Sequence, residues 1–173
     1  MSNTIAALKA KLKSLDSYFD NREYSQAINI LDELLEEYNE PEAVALILRE
    51  RYRYLFLLKE DEKALEDVLY IINNLQSEIV DYFRAGYRLV ESRIYTDALS
   101  YLNKGIIMSE EDNDMYFYST LLFLKAYSLI QIKQYSKAKE VLDVIDPSAC
   151  CWLKRREPYT VDELRQMIGS ILE

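Results

Sequence analysis

The chain has 173 residues, half of them apolar, and carries a net charge of −9 from 21 Lys and Arg against 30 Asp and Glu. A chain of this length buries about 70% of its unfolded surface, so it needs no disulfide or metal to hold a core. Three Gly, three Pro and no His exclude turn-dense β-sandwiches and barrels, glycine-rich phosphate loops and Ser-His or Cys-His nucleophile pairs, and remove the commonest zinc ligand.

Helical periodicity runs through the chain. Ile5, Leu8, Leu12, Leu15 and Phe19 recur at steps of three and four, one face of a first helix. Ala27, Ile30, Leu31, Leu34 and Leu35 form a second such face. Further helices are expected after Pro41, then from KALEDVLYIINNL, IVDYFRAGYRLVES, YTDALSYLNKGIIM, YFYSTLLFLKAYSLIQI and YSKAKEVLDVI. Breaks fall at Asp20-Asn21, Asn39-Glu40-Pro41, Lys59 to Glu62, Glu110 to Asp114 and Asp146-Pro147. With so few Gly and Pro, the helix pairs are expected to turn on Asn, Asp and Glu.

Four segments read REYSQAINIL, EDEKALEDVL, RIYTDALSYL and KQYSKAKEVL. They share a small residue, Ala27, Ala64, Ala98 and Ala138, at intervals of 37, 34 and 40 residues. Tyr24, Tyr95 and Tyr135 stand three before it, and Leu31, Val68, Leu102 and Leu142 four after. A small residue lets two helices approach closely, and the apolar residue one turn on fills the groove beside it. Such a period with two helices is the signature of an α-solenoid.

These residues resemble tetratricopeptide repeats. The third copy matches best, with Tyr82, Gly86 and Leu89 preceding Tyr95, Ala98, Leu102 and Gly105. The fourth has Leu122, Ala126, Leu129, Tyr135, Ala138 and Leu142, and the first Leu15, Tyr18, Tyr24, Ala27 and Leu31. The second departs from the pattern, with Tyr52 at the small position of helix A and Asp61 in place of the helix B tyrosine. The resemblance implies one all-α domain over 1–173, an α-solenoid of about four helix pairs (4–40, 41–76, 77–110 and 114–147).

The tail breaks the pattern. A non-periodic loop, 148–159, holds the only Trp. A helix over 160–173 then begins with Thr160 and Glu163 at capping-box spacing. Val161, Leu164, Met167, Ile168, Ile171 and Leu172 give it an apolar face. Its expected role is to cap the last pair, with Trp152 packed beneath.

In the resembled family, the first helix of each pair lines a concave groove. The matching positions include Arg49, Arg53 and Phe56 in the second repeat, Phe83, Tyr87 and Val90 in the third, and Phe123, Tyr127 and Ile130 in the fourth. The first contributes Lys9, Leu12, Asp16, Phe19 and Asp20. Arg49, Arg53, Phe56, Phe83, Tyr87, Phe123 and Tyr127 are the candidate partner-binding residues, because aromatic side chains and Arg concentrate at interface hot spots. The competing expectation is that some of these aromatics pack between helices or under the C-terminal helix. A known subset of the family clamps acidic peptide ends. The matching positions here hold Leu12, Asp16, Glu50, Val80 and Arg84, of which only Arg84 fits.

Glu36, Glu37 and Glu40, and later Glu110, Glu111 and Asp112, are candidate acidic docking surface; ordinary solvated faces are the plainer reading. The second run lacks the glycine and closing Glu of a calcium loop. Arg49, Arg51 and Arg53, and Lys154-Arg155-Arg156, interrupt the acidic background, but net −9 opposes nucleic-acid and anionic-membrane binding. For the arginines, ion pairing with Glu50, Asp81 or Glu91 is the plainer role. No metal or cofactor is expected, and no enzyme activity.

No run of 18 apolar residues occurs, and Lys9, Lys11 and Lys13 interrupt the N-terminus, unlike a secretory signal. Adjacent Cys150 and Cys151 read as reduced thiols, which suits a cytoplasmic location. The expected function is a protein-interaction module. More specifically, the chain resembles small helical-repeat bacterial immunity proteins, which implies occlusion of a basic toxin domain. The alternatives are a secretion chaperone or assembly adaptor that holds a peptide, and a peptide- or ligand-sensing regulator.

Overall fold

In the computed structural model, the described residues are 3–153 and 157–172, and they are predominantly helical. They divide into two compact units, Met1–Ser77 and Glu78–Glu173. The first holds α1 (Asn3–Ser14), α2 (Asp16–Asp20), α3 (Tyr24–Glu37), α4 (Pro41–Leu58) and α5 (Asp61–Asn74). The second holds α6 (Ile79–Glu91), α7 (Tyr95–Asp112), α8 (Tyr118–Gln131) and α9 (Tyr135–Val144), then β1 (Cys150–Cys151), β2 (Tyr159–Thr160) and α10 (Val161–Leu172). Within each unit, consecutive long helices pack as antiparallel neighbours joined by short turns.

The first expected helix is broken at Leu15. The Ser14 hydroxyl donates to the Lys11 carbonyl at 2.6 Å, and Ser17 donates to the Ser14 carbonyl at 2.9 Å. These bonds compete with the backbone ladder, and Leu15 N–H bonds instead to Leu12 O, three residues back. Wholly buried Tyr54 then donates its hydroxyl to the Leu15 carbonyl at 2.8 Å, so the phenol is buried with a partner.

Asn113 (φ 52°) makes an expected Asn turn after α7, but within the helix pairs no Asn, Asp or Glu takes that role. Each turns on a left-handed cation: Arg22 (φ 60°), Lys59 (62°), Arg93 (63°) and Lys133 (62°). The backbone bonds repeat with them. Arg22, Lys59, Arg93 and Lys133 N–H reach back three residues to Phe19, Phe56, Val90 and Ile130, and the next N–H reaches back five, to Tyr18, Leu55, Leu89 and Leu129. This is the Schellman ending, usually built on glycine. Here the cation lies beside the negative end of the helix dipole, which offsets part of the left-handed strain. The turn residues are separated by the same 37, 34 and 40 residues as the buried alanines. Ala27, Ala64, Ala98 and Ala138 are all fully buried, and each N–H closes the first turn of its helix.

Gly86 and Gly105 mark the tightest approaches in the second unit. A Cβ on Gly86 would stand 2.5 Å from Leu102 Cδ2, and one on Gly105 would stand 3.0 Å from Tyr82 Cβ. At Gly86 the Leu102 side chain must shift to admit a Cβ, and at Gly105 the neighbours must give by a few tenths of an ångström.

In the tail, Thr160 and Glu163 form the expected capping box: Thr160 N–H donates to Glu163 Oε2 at 2.8 Å, and Glu163 N–H to Thr160 Oγ1 at 3.2 Å. Val161, Leu164 and Ile168 are buried, and α10 packs on α8 and α9. The side chains of Ile171 and Leu172 lie outside the described residues, as do Lys154, Arg155 and Arg156. Trp152 does not pack beneath the cap; it is 57% exposed, while Cys151 and Leu153 are buried. Successive residues of an extended segment face opposite sides. Here the odd positions point inward and Trp152 outward.

Candidate protein-binding faces

The four left-handed turns set a common register for the first helix of each pair. Ten, six and three residues before the turn stand Leu12, Asp16 and Phe19; Arg49, Arg53 and Phe56; Phe83, Tyr87 and Val90; and Phe123, Tyr127 and Ile130. These equivalent positions have opposite fates in the two units.

In the first unit Asp16, Phe19 and Phe56 are exposed and Arg49 and Arg53 half-buried, while Leu12 packs against the core. Phe19 is 39% and Phe56 41% exposed. The Arg53 guanidinium lies 5.4 Å from the Phe19 ring centre and donates to Glu50 Oε1 at 2.5 Å, with Asp16 at 3.8 Å. Phe56 stacks on Tyr52, centres 6.4 Å apart. Half-buried Arg49 donates to the Gln76 carbonyl at 2.9 Å. The first unit therefore offers two exposed aromatic side chains, one of them beside a guanidinium already oriented by carboxylates. Of the arginine pairings expected from sequence, Arg53 with Glu50 is formed.

In the second unit the same positions are covered by the chain itself. Phe123 is wholly buried, with Val90 3% and Ile130 6% exposed. Tyr87 donates its hydroxyl to the Trp152 carbonyl at 2.6 Å. The Tyr127 ring packs on Tyr159 at 5.2 Å, and Phe83 stacks on Phe117 at 4.8 Å. Phe123 is thus corrected from a binding residue to a core residue. Tyr87 and Tyr127 are corrected to anchors of the 150–160 segment, and Phe83 to a half-buried partner of Phe117. An apolar and tyrosine-rich face is driven out of water by the nearest available chain. The charged positions Asp16, Arg49 and Arg53 remove that drive in the first unit. Burial holds the Tyr87 and Tyr127 hydroxyls above their ordinary range, with Glu91 and Tyr159 the next contributors, so both remain protonated donors.

Two charged networks lie inside the units. Arg51 donates to Asp67 through Nε at 2.9 Å and Nη2 at 2.5 Å, and through Nη1 to Asp32 at 2.5 Å. The Asp67 side chain is 5% exposed. Burial pushes its carboxyl up, and the guanidinium opposes that shift. Cavities of about 470 and 540 Å³ border this pair. In the second unit, Arg88 pairs with Glu91 at 2.8 Å, both side chains under 10% exposed at 4% and 6%. Asp67 carries no local sequence signal; it stands on α5 among ordinary helix-surface acids.

The acidic candidates are exposed and sit at helix ends. Glu36 and Glu37 close α3, with Glu40 just beyond, and Glu110, Glu111 and Asp112 close α7. Neither helix has a base in its last turn. Glu37 accepts from Lys11 Nζ at 2.9 Å, and Glu110 from the Tyr118 hydroxyl at 2.8 Å. Carboxylates at a helix C-terminus oppose the helix dipole, each at a cost of about 0.3–1 kcal/mol. Among the described residues, no cluster of His, Cys, Asp or Glu is arranged to hold a metal, and no helix is long and apolar enough to cross a membrane.

Comparison with protein-family models, curated proteins and solved structures gives no match.

Proposed function

We propose that the chain is a non-catalytic module of tetratricopeptide-like helix pairs that holds a basic protein partner against its first unit. The supporting observation is the open Phe19–Arg53–Phe56 face, whose counterpart in the second unit is covered. Residues 1–77 hold 9 Lys and Arg against 15 Asp and Glu, so most of the net charge of −9 belongs to this unit. A field of that sign speeds encounter with a basic surface, and the two rings supply short-range anchors. Carboxylates placed against the dipole of α3 are a local cost that a docking role accounts for. The most specific form of the reading is an immunity protein that occludes a toxin domain with a basic cleft. Its support is the acidic charge.

The test uses partner identification by cross-linking, then affinity measurement with Phe19→Ala/Phe56→Ala and with Glu36→Gln. The double variant is expected to weaken the identified partner at least tenfold while retaining the helical circular-dichroism signal. Glu36→Gln is expected to lower affinity while raising stability. Undiminished binding by the double variant, or an acidic partner surface, overturns the reading. The immunity form also requires that the partner be toxic when expressed alone and harmless when co-expressed; unrelieved toxicity sinks it.

A further inference from the structure

The second unit encloses a cavity of about 240 Å³, lined by Val90, Glu91, Arg93, Tyr95, Tyr127, Leu153 and Tyr159. Tyr127 is its central wall: its ring meets Tyr95 at 6.2 Å and 63°, and Tyr159 at 5.2 Å and 56°. The three rings pack on one another and form one wall of a partly open cavity, to which Val90 and Leu153 add apolar surface. Its volume is the share of about eight water molecules, which suits a ligand of roughly ten non-hydrogen atoms.

The charges decide what such a ligand carries. Glu91 is matched by Arg88 at 2.8 Å, and both side chains are almost fully buried. The Arg93 guanidinium makes no hydrogen bond or ion pair among the described residues. Arg93, exposed at the edge of the cavity, is therefore the cation of the described lining that has no ion-pair partner, in a chain of net −9. Distant acids act weakly here, because exposed charges are screened beyond about 8 Å in physiological salt. Arg93 is also held in place. Its left-handed φ of 63° is closed by Arg93 N–H to Val90 O at 3.0 Å and Ile94 N–H to Leu89 O at 2.8 Å. A fixed backbone leaves only the side chain to be ordered on binding.

We propose that this cavity binds a small aromatic or similarly planar carboxylate, with its charge on Arg93 and its body against the tyrosine wall. One guanidinium matches a monoanion, through two parallel N–H bonds to the carboxylate oxygens. The tyrosine rings supply stacking surface. This site is separate from the open face of the first unit, and its test does not depend on that reading.

The full chain is titrated with benzoate and 4-hydroxyphenylacetate, and with benzamide and benzylamine as neutral and cationic counterparts, at constant ionic strength. Thermal shift and Trp152 fluorescence are the readouts. The carboxylates are expected to saturate at millimolar concentration or tighter. Arg93→Gln weakens them about tenfold or more, the scale of one lost charge-assisted contact. Arg93→Lys retains part of the affinity, which separates loss of charge from loss of fold. Arg22→Gln, at the equivalent left-handed turn of the first unit, leaves binding unchanged. The proposal is overturned if no carboxylate saturates, if benzamide binds as well, if Arg93→Gln binds undiminished, or if benzylamine is preferred. That last result assigns the cavity to cations through Glu91.

Discussion

Gly86 provides a direct test of the packing argument, because two effects of opposite sign meet there. Replacing Gly by Ala inside a helix ordinarily gains about 1 kcal/mol from backbone propensity. At Gly86 the new Cβ would stand 2.5 Å from Leu102 Cδ2 and 2.8 Å from Leu102 Cγ. Carbon atoms prefer about 3.5–4.0 Å, so the methyl arrives roughly 1 Å too close. Leu102 is fully buried and has no solvent into which to swing. Forcing an extra methyl into such a contact costs about 1–3 kcal/mol, and the upper end applies because Cγ as well as a terminal methyl must move. The expected net loss for Gly86→Ala is about 1–2 kcal/mol, a Tm lower by roughly 2–8 °C for a chain of this size. Gly169 is the control: nothing stands within 4 Å of its Cβ position, so Gly169→Ala gains the propensity term and raises Tm by about 2–4 °C. Thermal and urea unfolding followed at 222 nm measure both. Leu102→Ala alone costs about 2–5 kcal/mol, but with Gly86→Ala the double variant loses less than the sum. A Gly86→Ala protein as stable as Gly169→Ala, or strict additivity with Leu102→Ala, refutes the close approach.

Further outcomes follow from the same structure. Lys59→Gly relieves a left-handed side chain and is expected to add up to about 1 kcal/mol, less the lost dipole interaction; a lower Tm contradicts the turn assignment. Asp67→Asn leaves Arg51 without its main buried partner and costs about 3–5 kcal/mol, whereas a well-packed apolar replacement of both residues is close to neutral; equal losses in urea titrations of the two proteins argue against a buried pair. Burial pushes the Cys151 thiol up to about 12 and the Tyr54 hydroxyl up to about 12. The folded state therefore holds these protons more tightly than the unfolded state, and stability is lost as pH rises from about 9 towards 12. A urea midpoint that stays flat or climbs over that range is inconsistent with it. Iodoacetamide at pH 8 is expected to label exposed Cys150 in the native protein and both thiols in urea, read by mass spectrometry.

Much of the helical framework was legible in the sequence. Ala27, Ala64, Ala98 and Ala138 recur at intervals of 37, 34 and 40 residues, and all four are fully buried. Thr160 and Glu163 close a capping box that spans three residues of chain, and such local geometry follows from spacing alone. The break at Leu15 was less visible, since the serines that cause it also occur inside intact helices. The turns were misjudged for another reason. Arg22, Lys59, Arg93 and Lys133 occupy a conformation that composition assigns to Gly, Asn or Asp.

The candidate face divided along the same line. Arg53 and Phe56 stand three residues apart on α4, a spacing legible in sequence, whereas the meeting of Arg53 with the Phe19 ring joins α4 to α2 and is a tertiary contact. Phe123 has the same periodicity and is buried. Its burial is a tertiary outcome, as is the packing of Tyr127 on Tyr159. Sequence by itself determined which residues belong to one face of each helix, since that depends only on 3.6-residue geometry. The tertiary structure decided which face stays open. That choice depends on where the 150–160 segment comes to rest, a long-range contact set by competing burial and not by any local pattern.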